Sequence, residues 1–499
     1  MKRAFFLVVL LSLAVIAPLV RAQQAEQAER EAMYYRYLEF ASYVKGGSIQ
    51  PHWMADGSSF WYAEGAPANT VIWKVDPKAN TKTPLFDTAR LRQALSSVLG
   101  HEPPYQGLPF DKFTFLDDEK AVKFTVEGKE FILQLDTYTI TRAPVVSQEE
   151  KMRLIPRAVG KGFVGGFPIW GDVMEVLSPD RRWFAGLRDH NLWLRSTYDG
   201  RGLQLTTDGI EDYAWDVDGA WWSPDGFKLA AKKVESRKAA KMPIVHWLKP
   251  TEEVEWVHPH RTMTGGPMRQ PELFVVDILS KRAVRIDTGD ERNQYIHILR
   301  WLPDCSKLLF LRADRWLKKL DLMLADPDTG STRVILTESQ KTFVIGIQLT
   351  YRQWIDRVGL FTLLEDGKRF VWMSERDGWN HLYLYDLAGN LIRRLTEGSF
   401  PVVTVVGVDE ESGWVYFTAH GDQQRPYDTD LYRVNLEGKR LTRLTEAPGQ
   451  HKIEMAPSGE FFLDTHSSPD RARPPWNYAG WMGSSYKRCL EPILTHSRT

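Results

Sequence analysis

Three short stretches of this 499-residue chain hold residue types able to do chemistry. Glu252, Glu253, Glu255, His258 and His260 fall within nine positions, a mixture of carboxylate and imidazole that zinc uses. Zinc also needs a tetrahedral set on a defined scaffold, and His258-Pro259-His260 offers no ordinary spacing for one, so the stretch reads as a solvated arm and no metal is assigned. Gly483-Ser484-Ser485-Tyr486-Lys487 comes nearest to the Gly-x-Ser-x-Gly elbow that presents a nucleophilic serine, with His496 as the base it would need. Lys487 stands where the second glycine must let the backbone turn, no β-rich run leads into the stretch, and the full pattern occurs nowhere in the chain. No catalytic residue is therefore assigned. Asn380-His381 follows the Asp377-Gly378 turn, and a turn-locking role accounts for it. A pair of converging carboxylates for glycoside hydrolysis leaves no linear spacing by which to read it.

The elements that would position such residues are legible as a repeat. Leu364 to Glu397 and Glu411 to Glu446 spell one unit twice: a turn, a β-rich run, an alternating strand ending in a glycine turn, and a closing strand with Leu-Thr. Turn-then-strand units begin at Ser178, Ser223, Leu302, Leu364, Glu411 and Ala456, at gaps of 45, 79, 62, 47 and 45. Closing strands carry Leu205-Thr206, Leu336-Thr337, Leu395-Thr396 and Leu444-Thr445. A period near 40–45 residues is that of a propeller blade. The expected fold is all-β, a β-propeller of four-stranded antiparallel blades over residues 49–470, with two weaker blades over 55–86 and 110–144. Seven blades and a half-unit at 451–468, completed by an N-terminal strand near 49–54, predict eight. Repeats of one unit make a single domain of this length.

Lys and Arg number 64, as do Asp and Glu, and no long single-sign run breaks the balance, so nucleic acid is not an expected partner. Lys2-Arg3, the apolar stretch Ala4 to Val20 and Val20-Arg21-Ala22 form a signal peptide, with export and cleavage after Ala22 expected. An uncleaved membrane anchor is the minor alternative, since about 17 apolar residues are marginal for a span. Helical spacing over Glu26 to Val44 predicts a short amphipathic N-terminal helix. Two cysteines, Cys305 and Cys489, make no disulfide framework.

From about residue 160 to Pro475 the chain resembles the N-terminal β-propeller of the dipeptidyl peptidase IV family, within the prolyl oligopeptidase superfamily of serine peptidases. The most specific phrase is Ser374-Glu-Arg-Asp-Gly-Trp-Asn-His-Leu-Tyr-Leu-Tyr-Asp386. Trp221-Trp-Ser-Pro-Asp-Gly226, Tyr427-Asp-Thr-Asp-Leu-Tyr432 and Ser467-Ser-Pro-Asp-Arg471 support it in order. The resemblance implies an eight-bladed propeller over an α/β-hydrolase domain, admitting only peptide ends to a serine nucleophile. Such a domain should begin just after Pro475, where 24 residues remain, so residues 471–499 are expected to form an irregular tail and the chain to be unable to cleave by itself.

The resemblance also implies a pair of glutamates on a short helix that binds the substrate's amino terminus. The corresponding segment, between Gly209 and Trp221, has no Glu-Glu pair and little room for a helix. Glu211, Asp212, Asp216 and Asp218 are its acids, either as substitutes in substrate binding or as solvated loop carboxylates. Residues 235–270 match in position an arm that family members extend toward a partner subunit, so a dimer through that arm is expected. No cofactor is implied. The leading expectation is the substrate-gating propeller of a dipeptidyl-peptidase-like exopeptidase, partnered by a hydrolase domain. The alternative is a stand-alone exported propeller that binds peptides or proteins with its variable loops.

Overall fold

The computed structural model describes residues 49–489, apart from 66–68, 104–105, 145–146, 148–151, 165–166, 248–250, 252, 258–264, 292, 345–359, 469–475 and 483–484. The expected signal peptide and N-terminal helix lie outside the described residues. Between His52 and Arg443 the chain completes seven four-stranded antiparallel blades, so the fold is an all-β propeller.

The expected completion of the half-unit at 451–468 by an N-terminal strand is corrected. His52–Trp53 pairs inside the first blade, with Trp61 and Phe60 opposite, and its partner is fixed there. Strands at Gln450–Met455 and Phe461–Ser467 are followed instead by Trp476–Met482 and Ser485–Cys489, where an irregular tail was expected. The alternating aromatics Trp476 and Tyr478 give that stretch strand propensity without the turn signature of the earlier blades.

Two compact units divide the chain. In the first, containing residues up to 126, Phe60, Tyr62, Val75 and Leu463 make a small core. It also holds a helix, Thr88–Leu99, which blade periodicity does not reveal. Asp87 caps it by accepting from the Arg90 backbone N–H at 3.1 Å, and Leu91 and Leu95, four apart, are its buried residues.

The second unit, containing residues 141–455, shows why the repeat reads as it does. Inner strands are buried on both faces: every side chain of Leu320 to Ala325 and of His381 to Tyr385 is buried. Such strands read as nearly continuous apolar runs. Outer strands such as Leu391–Arg394 are mostly exposed and carry arginines, which discourages edge pairing. Leu311, Leu322, Phe370, Trp372 and Phe417 belong to one continuous core. Each contributes roughly 1.5–3 kcal/mol of burial.

The Ser-Pro-Asp turns have a shared hydrogen-bond pattern. Ser178 Oγ donates to Asp180 Oδ1 at 2.7 Å and accepts from the Trp183 N–H at 3.0 Å; Ser223 does the same with Asp225, at 2.5 Å, and with Lys228 at 2.9 Å. The closing Leu-Thr pairs are explained by a second device. Each threonine lies opposite a buried polar residue of the third strand, giving Thr206 with Asn191, Thr337 with Asp321, Thr396 with His381 and Thr445 with Asp430. The hydroxyls of Thr206, Thr396 and Thr445 also accept the backbone N–H of Leu192, Leu382 and Leu431, at 2.9–3.0 Å. His381 is therefore structural: Nδ1 meets Thr396 Oγ1 and Nε2 meets the Gly398 carbonyl, each at 3.1 Å. Burial holds its pKa below the ordinary imidazole value, the nearby Arg394 acting in the same direction.

Candidate functional site

The acids singled out from sequence lie on and before the first strand of the fourth blade. The segment is a turn at 211–212 followed by the strand Tyr213–Trp222, rather than a loop. A bulge between Asp216 and Trp221 shifts its register against Lys228–Glu235. Glu211 is exposed, and Asp212 stands 3.8 Å from the Lys241 ammonium. Asp216 Oδ1 accepts the Asp218 N–H at 2.8 Å, so these two are tied locally. Asp218 is exposed.

Next to them the same unit encloses a polar cleft of ≈ 710 Å³, which none of the four lines. Tyr213, Glu235 and Glu272 come from the first three strands of the fourth blade, Arg285 from its fourth, residues 287–291 from the connection into the fifth, and Gln294 from the start of the fifth blade's first strand. Glu235 accepts from the Arg237 Nε at 2.9 Å through both oxygens, and this pairing holds its carboxyl down at about 2. Glu272 pairs with Arg285 at 2.7 Å and also accepts the Tyr213 hydroxyl.

Tyr213 is further fixed from below by Lys233, whose ammonium lies 3.9 Å from the ring centroid. Lys233 is itself buried and reaches Asp208 Oδ2 at 2.6 Å. Burial first, and the Glu272 carboxylate second, push the Tyr213 phenol up to about 12. A raised folded value means that the phenol's contribution to stability is complete below its ordinary value of 10 and is lost as pH rises through 12. In an ultraviolet titration, subtracting the Tyr213→Phe variant from the parent should therefore reveal one tyrosine ionising well above pH 10; a difference centred at 10 would contradict this geometry.

Sequence reasoning missed this cleft because its residues are distant in the chain and meet only through blade register. The one local signal was Asp287-Thr-Gly-Asp-Glu291, a polar turn following a short strand. Residues 235–270 do contain the expected β-arm, a hairpin of Met242–His246 and Glu253–Val257 with Val245 opposite Val254. Trp247 and Trp256 on it are 82% and 62% exposed. The His258-Pro-His260 stretch lies outside the described residues.

Comparison with known proteins decides the family. The model of the dipeptidyl peptidase IV (DPP IV) N-terminal region matches residues 169–473. The chain belongs to this family. It is 24% identical over 333 residues to "Probable dipeptidyl-aminopeptidase B" of Emericella nidulans, covering 59% of this chain and 36% of that protein. Against "Probable dipeptidyl peptidase 4" of Aspergillus fumigatus the identity is 22%, with 60% and 41% covered. The crystal structure of Porphyromonas gingivalis dipeptidyl peptidase 4 superposes with a TM-score of 0.59 at 18% identity, covering 92% of this chain and 62% of that one. That likeness establishes the shared fold. The DPP IV-type chain thus spans well under half the length of these two curated relatives, in the part that is their propeller. Among the described residues no helix is long and apolar enough to cross a membrane.

Proposed function

We propose that this chain acts as the substrate-gating propeller of a dipeptidyl-peptidase-like serine exopeptidase, working with an α/β-hydrolase domain that carries the chemistry. The observation that carries this reading is the unbroken family match across consecutive blades, residues 169–473, in a sequence with no Gly-x-Ser-x-Gly elbow. The blade count in this reading is eight, supported by the order of the strands after Gln450. The arm with exposed Trp247 and Trp256 is the face offered to a second subunit, its exposure being what such docking would cover.

Purified by itself, the chain should take no label from a fluorophosphonate probe and should leave a Gly-Pro anilide uncleaved. Covalent labelling of any serine of the chain would overturn the division of labour. The same preparation run by sedimentation velocity should show a dimer that Trp247→Glu dissociates; a monomer at micromolar concentration would sink the role of the arm.

A further inference from the structure

We draw no further inference here: the strongest candidate, the exposed apolar side chains Val245, Trp247, Val254 and Trp256 on the β-hairpin arm of the fourth blade, belongs to the second-subunit contact already proposed.

Discussion

Replacing Glu175 by alanine is expected to destabilise the protein by about 3–5 kcal/mol, read as a lower midpoint in urea at unchanged slope. Glu175 and Arg195 form an ion pair in which each side chain is 8% exposed. The Arg195 Nε reaches the two carboxylate oxygens at 3.0 and 3.1 Å, and its terminal nitrogens donate to the Arg153 and Ile155 carbonyls at 2.7 and 2.9 Å. Its guanidinium also packs 4.5 Å from the Phe184 ring centroid. Nothing else described carries the negative charge that this cation needs. Alanine at 175 leaves a desolvated guanidinium and also frees the Arg157 N–H, which Glu175 accepts at 2.9 Å. The double variant Glu175→Ala/Arg195→Met should recover most of the loss, because the cost lies in the uncompensated charge rather than in the missing attraction. A single-variant loss below about 1 kcal/mol would show that the pair is solvated and that this account is wrong.

The same contrast between local and non-local causes explains what could be read from the sequence. Turns at Ser178 and Ser223 were legible because the hydroxyl, the aspartate and the backbone they bond lie within six residues. The Leu-Thr strands were legible as a pattern, although their reason, a buried polar partner some fifteen positions earlier, appears only with the register. The helix Thr88–Leu99 had its own signals in Asp87, Leu91, Leu95 and Gly100, with φ of 81° at the glycine, and lies in the stretch between the two weaker blades that the repeat leaves unassigned. The N-terminal strand was placed correctly near 49–54 but given the wrong neighbour, since a two-residue strand carries too little pattern to specify its partner. The acids at 211–218 were prominent because the four fall within eight positions. The cleft was not, because Tyr213, Glu272 and Gln294 share no linear pattern and are brought together by strand pairing and blade packing.

Asp321 is where the repeat's polar latch meets that cleft, and its replacement by alanine should cost about 3 kcal/mol. Its carboxylate is 4% exposed, accepts the Thr337 hydroxyl at 2.6 Å, and receives Arg312 through Nε at 3.1 Å and a terminal nitrogen at 2.7 Å. The other terminal nitrogen of Arg312 donates to the Thr288 carbonyl at 2.9 Å, which ties the start of the acidic connection to the fifth blade. Gly289 then passes so close that a Cβ there would lie 2.7 Å from that nitrogen, at a φ of +83° that glycine alone adopts without strain. Removing Asp321 therefore acts at two levels. It strands a mostly buried guanidinium, which lowers stability, and it releases the arginine that holds the Thr288 carbonyl, which should speed amide hydrogen exchange in the 287–291 connection even where the protein remains folded. Asp321→Asn keeps a group that can accept from Thr337 and Arg312 while losing the charge, so about half the stability cost is expected, with a smaller change in exchange. If Asp321→Ala lowered stability without changing exchange in the connection, the connection would be held by other contacts, and Arg312 would be a strut of the blade alone.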